Sequence, residues 1–208
     1  MVEEQLQDRD ITDRRVLEIM GRVARERFVP EELRRHAYED HPLPIGLDQT
    51  ISQPYIVALM AQLARPSPDD RVLEIGIGSG YEAAILAGLC RQVYSIEILD
   101  ALTRAARQRL AELGYENIAV RCGDGYQGWP EHAPFDAILV SAAPDHVPQP
   151  LIDQLAPGGR LVIPVGGSYG QELLLIEKQL DGGLRRDRIG PVQFVPMTGE
   201  ADRPRSGT

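Results

Sequence analysis

A glycine-rich turn between a predicted strand and a predicted helix is the segment of this sequence best suited to bind a ligand. It reads Glu74-Ile75-Gly76-Ile77-Gly78-Ser79-Gly80 and follows the apolar run Arg71–Ile75. Because glycine has no Cβ, the backbone of such a turn can approach a bound molecule closely. Doubly wound α/β folds bind nucleotides where a strand passes into a helix in this way, so the turn predicts a nucleotide site.

The residues around the turn indicate which nucleotide would bind. The dinucleotide pattern GxGxxG requires its third glycine at position 81, where this chain has Tyr81. Glu74 is expected to point into the crevice, where its charge would repel a pyrophosphate and favour an ammonium or sulfonium group. This combination favours S-adenosylmethionine over a nicotinamide cofactor.

Two further acidic residues follow neighbouring predicted strands. Glu97 follows the strand Gln92–Ile96, where a carboxylate can accept both ribose hydroxyls. Asp124, in Gly123-Asp124-Gly125, is expected to accept a hydrogen bond from the adenine amino group. Each could instead be only a helix cap, and the glycines only a turn. Together they favour a nucleoside site, with these predicted cofactor-binding residues: Glu74, Gly76, Gly78, Ser79, Gly80, Glu97, Asp124 and Gly125.

The elements that must position these residues alternate between strands and helices from Arg71 onward. The predicted strands are Arg71–Ile75, Gln92–Ile96, Ile118–Cys122, Phe135–Val140 and Leu161–Val165. The predicted helices are Tyr81–Leu89, Asp100–Leu113 and Pro148–Leu155. This order predicts a doubly wound, Rossmann-like α/β fold with a mostly parallel sheet. Two later runs, Glu172–Leu180 and Ile189–Val195, flank the turn Asp181-Gly182-Gly183 and predict antiparallel C-terminal strands.

The N-terminal third is predicted to be helical. Apolar residues at helical spacing indicate a helix over 11–27, a short helix is expected over 31–37, and Pro54 opens another through Ala64. Tyr38–Gln53 has no clear periodicity. We expect a single domain over 1–198, with an N-terminal, substrate-side segment at 1–65, a cofactor-binding sheet at 66–198 and a loose tail at 199–208.

Composition and charge exclude several classes of protein. The chain has 208 residues, with 22 basic and 31 acidic residues and a net charge of −9, which opposes general affinity for nucleic acid. No apolar run is long enough to span a membrane, and the acidic N-terminus is unlike a secretory signal. We therefore expect a cytoplasmic protein bound to neither membrane nor nucleic acid. We also expect a monomer.

The metal-ligating residue types show no cluster. The four histidines, His36, His41, His132 and His146, have no metal-ligand spacing, so no metal site is predicted. Cys90 and Cys122 lie in apolar surroundings without CxxC spacing and are expected to be reduced core residues.

Several segments outside the glycine turn have distinctive sequences. They are Phe28-Val29-Pro30, Ala37–Gly46, Gln49-Thr50-Ile51-Ser52-Gln53-Pro54, Ala133–Asp136, Ala142-Ala143, Pro157-Gly158-Gly159, Pro164-Val165-Gly166 and Phe194–Thr198. With Val72–Tyr81 and Gly123–Gly125, these segments resemble the protein-L-isoaspartate O-methyltransferases, a family of class I methyltransferases. The similarity covers about Ile11 to Thr198. Asp48 stands where some members have glycine, and Tyr55 where a histidine is common.

This resemblance implies methyl transfer from S-adenosylmethionine to the α-carboxylate of L-isoaspartyl residues in damaged proteins. The methyl ester reverts to a succinimide, which reopens partly to normal aspartate. It also implies that Ser52 is the catalytic residue, that Thr50 and Ile51 lie on the substrate side, and that the segment near Thr198 closes over cofactor and substrate. From spacing alone, Ser52 could equally be the N-cap of the helix beginning at Pro54.

Three other functions share parts of this pattern. A peptide-tailoring or small-molecule methyltransferase would keep every motif above. A non-catalytic nucleoside-binding module would keep the crevice, although the intact Ser52 segment argues against it. A nicotinamide oxidoreductase is disfavoured by Glu74 and Tyr81.

Overall fold

The computed structural model describes residues 1–167 and 170–202. Its α-helices are α1 (Arg14–Arg22), α2 (Pro54–Ala64), α3 (Tyr81–Ala87), α4 (Asp100–Glu112) and α5 (Gln149–Asp153). Its strands are β1 (Leu43–Gly46), β2 (Gln49–Ile51), β3 (Arg71–Ile75), β4 (Gln92–Glu97), β5 (Ile118–Cys122), β6 (Phe135–Val140), β7 (Leu155–Gly167), β8 (Gly170–Lys178) and β9 (Leu184–Val192).

Seven of the strands form one sheet, in the order β5-β4-β3-β6-β7-β8-β9. The pairs among β5, β4, β3, β6 and β7 are parallel, and β8 and β9 join antiparallel. The predicted doubly wound, Rossmann-like fold with antiparallel C-terminal strands is therefore confirmed. The chain order reverses beside β3, so a crevice opens at the carboxyl ends of β3, β4 and β6, where such folds bind ligands.

Apolar side chains cover both faces of this sheet. On one face the N-terminal elements pack against the strands, with Phe28, Met20 and Val57 in the same buried cluster as Val72 and Val162. On the other face α5 packs over the strands in a second cluster. Burial of both faces explains why the central parallel strands are continuous apolar runs rather than alternating ones.

The N-terminal third consists of more and shorter elements than the sequence predicts. The helix expected over 11–27 is α1 followed by a separate 3₁₀ turn, Arg25–Phe28. Glu31–His36 is also 3₁₀, and Val2–Gln7 forms a π-helix that periodicity did not reveal. Within Tyr38–Gln53, β1 and β2 pair as a hairpin. Its two turn residues, Leu47 and Asp48, have φ of 53° and 57°, a geometry that hairpin turns require and that glycine or asparagine adopts most readily.

The C-terminal elements differ from the predicted bounds. β7 is much longer than Leu161–Val165, and β9 ends at Val192, so that Gln193–Val195 leave the strand. The loose tail expected over 199–208 is wrong for Gly199–Asp202, which form a 3₁₀ turn, and residues 203–208 lie outside the described residues. Cys90 is buried, whereas Cys122 is exposed and is not the core residue expected.

None of the helices in the described part of the chain combines the length and the apolar composition that crossing a membrane requires. Within the same residues, no three His, Cys, Asp or Glu side chains are grouped as a metal site would require.

Candidate active site

The crevice beside β3 contains a cavity of about 260 Å³, called here the inner cavity. Its walls come from the glycine turn, the ends of β4 and β6, the β1–β2 hairpin and the segment Val195–Thr198. The predicted site residues that line it are Thr50, Ile51, Ser52, Gly76, Gly78, Ser79, Glu97, Gly125 and Thr198. Tertiary structure thus brings together residues that are far apart in sequence.

The glycine turn has a backbone shape that suits its sequence. Gly76, Gly78 and Gly80 all have positive φ, which residues with a Cβ adopt at a steric cost. The guanidinium of Arg109 on α4 donates to the Ser79 carbonyl at 2.8 Å. This contact connects α4 to the turn, whose residues Gly76, Gly78 and Ser79 line the inner cavity.

Glu97 lies at the end of β4 and is 6% exposed. One carboxylate oxygen accepts from the Gly78 amide and the other from the Leu99 amide, both at 3.0 Å. Each oxygen of a carboxylate can accept a second hydrogen bond, so Glu97 retains acceptor capacity toward the inner cavity. This placement suits recognition of ribose hydroxyls.

Glu74, contrary to the prediction, does not line the inner cavity. Its side chain is fully buried and accepts a hydrogen bond from Ser95 Oγ, the residue opposite it in the β3–β4 register. Successive side chains of a strand point to opposite faces of the sheet. The Glu74 side chain therefore lies buried on one face of the sheet, whereas the turn that follows β3 lines the crevice. Burial, with the Glu82 carboxylate nearby, raises the pKa of Glu74 well above its ordinary value.

Asp124 and Gly80 also lie outside the lining of the inner cavity. Asp124 caps a 3₁₀ turn by accepting from the Tyr126 amide at 2.9 Å, and its second oxygen accepts from the Glu200 amide at 2.8 Å. Asp124 therefore caps this turn, as the alternative interpretation expected, while its contact with the adenine amino group stays a prediction. Gly80 is the N-cap of α3.

Glu82 is an acidic residue of the inner cavity that sequence reasoning missed. It lies in the first turn of α3 and its side chain accepts from Ser141 Oγ at the end of β6. Burial raises the pKa of Glu82 to about 7. From sequence alone, an acid at this position indicates only a favourable interaction with the helix N-terminus.

A second depression, of about 700 Å³, adjoins the inner cavity and is called here the outer groove. Its lining residues are Pro42, Thr50, Ser52, Gln53, Ile56, Ser141, Pro191, Val192, Gln193, Phe194 and Val195. Thr50, Ser52, Ser141 and Val195 line both spaces. Ser52 therefore lies where the outer groove meets the inner cavity.

The capping alternative for Ser52 is wrong. The N-cap of α2 is Gln53, and no side chain caps this helix. The Ser52 carbonyl instead accepts from the Arg25 guanidinium at 2.8 Å. Arg25 is fully buried and also donates to the Ala37 carbonyl at 2.7 Å. Sequence reasoning missed Arg25, because it lies among charges of alternating sign that indicate a solvated helix face.

The segment that carries Thr198 is held over the inner cavity by backbone contacts. The Ala143 amide donates to the Val195 carbonyl, and the Met197 amide donates to the Ala143 carbonyl, each at 2.8 Å. The Gln171 side chain bonds the amide and the carbonyl of Phe194 at 2.6 and 3.0 Å. Thr198, the next residue after Met197, lines the inner cavity together with residues of the β1–β2 hairpin.

Comparison with known proteins places this arrangement in a family. The family model of the protein-L-isoaspartate(D-aspartate) O-methyltransferases matches residues 1–202. A protein-L-isoaspartate O-methyltransferase of Synechococcus is 60% identical over 95% of this chain and 83% of its own length. One from Polaromonas is 58% identical over 90% of each chain.

Solved structures agree with the sequence relatives. A protein-L-isoaspartate O-methyltransferase superposes with a TM-score of 0.86 at 30% identity, over 97% of this chain and 67% of its own. A Plasmodium falciparum protein assigned to the same activity, in complex with S-adenosyl-L-homocysteine, has a TM-score of 0.82 at 28% identity, over 95% and 96% of the two chains. The similarity thus includes the N-terminal elements as well as the sheet.

Proposed function

The chain belongs to the protein-L-isoaspartate(D-aspartate) O-methyltransferase family, and from that premise we propose how its residues carry out the reaction. It is an enzyme that transfers a methyl group from S-adenosylmethionine to the α-carboxylate of L-isoaspartyl residues in damaged proteins. The methyl ester then opens the route to repair through a succinimide.

The inner cavity is proposed to bind S-adenosylmethionine, which supplies the methyl group. Gly76, Gly78 and Ser79 place the turn backbone against the cofactor, Glu97 accepts from the ribose hydroxyls, and Gly125 borders the adenine. Glu97 carries this assignment, because its carboxylate is fixed by the Gly78 and Leu99 amides and still has acceptor capacity. Glu74, Gly80 and Asp124 are proposed to support the cavity from behind.

The outer groove is proposed to bind the isoaspartyl peptide. Its walls combine apolar side chains with residues 191–195, which form the end of the edge strand β9 and the segment that follows it. An extended peptide can pair with exposed backbone of this kind. Thr50 and Ile51 on β2, together with Thr198, are proposed to border the point where the substrate carboxylate enters the inner cavity.

Ser52 is proposed to orient the substrate carboxylate. This nucleophile is already ionised at neutral pH, since carboxyl groups have ordinary pKa values near 4. No general base is needed, so the enzyme contributes alignment and exclusion of water. The Ser52 hydroxyl can donate a hydrogen bond to one carboxylate oxygen and leave the other free to attack. The observation that carries this proposal is the position of Ser52 in the linings of both spaces.

A peptide assay tests the whole proposal. The enzyme is incubated with S-adenosylmethionine carrying a labelled methyl group and with paired peptides that differ only in isoaspartate or aspartate at one position. We expect base-labile label in the isoaspartyl peptide alone. Equal labelling of both peptides, or label that resists base, would contradict the proposal and favour a tailoring methyltransferase. Binding of S-adenosylhomocysteine without any labelling would favour a non-catalytic module.

We also propose that the protein is a cytoplasmic monomer that interacts with proteins rather than with nucleic acid or membrane. The net charge of −9 supports the proposal that it does not bind nucleic acid. Light scattering coupled to size-exclusion chromatography measures the mass in solution. A mass near twice that of the chain would contradict the monomer.

A further inference from the structure

The strand order gives the inner cavity two distinguishable ends. Gly125 follows β5 and Glu97 ends β4, whereas Ser141 follows β6, on the other side of β3. If Glu97 binds the ribose, the adenosine lies over β4 and β5. The methionyl part of the cofactor must then extend past the glycine turn toward β6, where Ser141 also borders the outer groove.

Glu82 is the acidic side chain at this β6 end. It is 8% exposed, and one of its oxygens accepts from Ser141 Oγ. Its other oxygen is buried and has no hydrogen-bond partner among residues 1–167 and 170–202. An unpartnered buried acceptor is costly, so its presence in a ligand cavity indicates a group that a ligand satisfies.

Glu82 belongs to a group of carboxyl groups in the crevice. Glu74 on β3 is close enough to Glu82 and to Glu97 for both of these carboxylates to raise its pKa, and Glu74 has an oxygen without a partner among the described residues. The ion pairs in the described part of the chain all involve other carboxylates. Three carboxyl groups without a protein cation favour a ligand that brings positive charge.

We propose that Glu82 binds the ammonium group of the methionyl part of S-adenosylmethionine, while Ser141 holds its second oxygen. This inference rests on the proposed function, since it takes the position of the adenosine from Glu97. It moves the cation-binding role expected for Glu74 to a residue that lines the cavity. Because the pKa of Glu82 is about 7, a fraction of the free enzyme molecules carries a proton on this residue. Binding of the ammonium favours the ionised form of Glu82, so this proton is released to the buffer.

Calorimetric titration with two ligands tests this proposal without relying on turnover. S-adenosylhomocysteine keeps the ammonium group, whereas 5′-methylthioadenosine keeps the nucleoside and the thioether but lacks the amino acid part. At pH 6.5, in two buffers of different ionisation enthalpy, we expect proton release with the first ligand and none with the second. Glu82→Gln should abolish the release and weaken S-adenosylhomocysteine binding about tenfold or more, with 5′-methylthioadenosine binding unchanged.

Two further variants complete the test. Glu116→Gln, at an exposed position outside the cavity, is the matched control and should behave as the parent enzyme. Ser141→Ala removes the hydrogen bond that lowers the pKa of Glu82, so proton release should move to higher pH. This variant keeps the Glu82 charge and therefore serves if Glu82→Gln does not fold.

The outcomes separate this inference from the proposed function. Unchanged S-adenosylhomocysteine affinity in a folded Glu82→Gln enzyme, or proton release that persists in it, would overturn the inference alone. An unmoved pH midpoint in Ser141→Ala would also overturn it. Failure of the parent enzyme to bind either ligand would overturn the proposed function and this inference with it.

Discussion

The buried guanidinium of Arg25 donates to the backbone carbonyl of Ser52 at 2.8 Å. Its Nε donates to the Ala37 carbonyl at 2.7 Å, and its planar group lies over the Tyr81 ring, 4.8 Å from the centroid. Arg25 thus connects the first residue of α3 with the loop that carries Ser52. Burial lowers the pKa of this arginine below its ordinary value.

Replacement of Arg25 should therefore disturb catalysis more than cofactor binding. In Arg25→Met the Ser52 and Ala37 carbonyls lose a buried donor, which costs roughly 1–3 kcal/mol of unfolding free energy. We expect kcat with an isoaspartyl peptide to fall about tenfold or more, and the Kd of S-adenosylhomocysteine to stay within about twofold. Arg22→Met, at an exposed position on α1, is the control. Unchanged kcat in a folded Arg25→Met enzyme would contradict a positioning role.

Ser52→Ala removes the hydroxyl proposed to orient the substrate carboxylate. One hydrogen bond to a charged group is worth about 1.5–3 kcal/mol, so we expect kcat/KM for the isoaspartyl peptide to fall by roughly 10- to 100-fold. Cofactor affinity, measured by calorimetry, should not change. Ser67→Ala, in an exposed loop, is the matched control. A loss of cofactor affinity equal to the loss of activity would mean that Ser52 contributes to binding of the cofactor rather than to orientation of the substrate.

Glu97→Ala should first affect the cofactor. It removes the carboxylate that fixes the Gly78 and Leu99 amides and is proposed to accept from the ribose. We expect the Kd of S-adenosylhomocysteine to rise about tenfold or more, while activity at saturating cofactor recovers in large part. Comparison with Glu116→Ala controls for loss of charge alone. Activity that stays low at saturating cofactor would argue for a role of Glu97 beyond binding.

Gly199→Ala should loosen the segment that carries Thr198. A Cβ at position 199 would lie 2.6 Å from Asp124 Oδ2, the atom that accepts from the Glu200 amide. Gly182→Ala is a close control, because φ is +90° at Gly199 and +87° at Gly182, where nothing lies within 4 Å. We expect higher KM values for cofactor and peptide only in Gly199→Ala. Equal effects of both variants would mean that backbone strain alone is responsible.

The stability of the unliganded enzyme should fall as pH rises above about 4.5, in part because of Glu74. Its pKa is raised in the folded state, so the folded chain binds more protons than the unfolded chain until the pH passes the folded pKa. Each unit by which the pKa is raised corresponds to about 1.4 kcal/mol. In Glu74→Gln this part of the pH dependence should disappear. Urea unfolding at pH 5.5, 6.5 and 7.5 measures the slope, and parallel curves for parent and variant would contradict the assignment.

The fold was predictable from the sequence because its central elements have strong local patterns. β3, β5, β6 and α2 have the predicted bounds, since buried apolar runs and the proline at the start of α2 mark them clearly. The bounds of β7 and β9 were not predictable, because antiparallel pairing extends them through glycine and charged residues. The hairpin at 43–51 was not predicted, because its turn residues, Leu47 and Asp48, have positive φ although neither is a glycine or an asparagine.

The sequence by itself determined the cofactor crevice, the family and the segment around Ser52, because each depends on residue types at fixed spacing. Only the tertiary structure decided which acidic side chains face the cavity. Strand alternation turns Glu74 toward Ser95, a capping turn occupies Asp124, and the first turn of α3 brings Glu82 to the cavity. Such orientations depend on register and helix phase between distant segments, and these are fixed only when the sheet and its helices pack together.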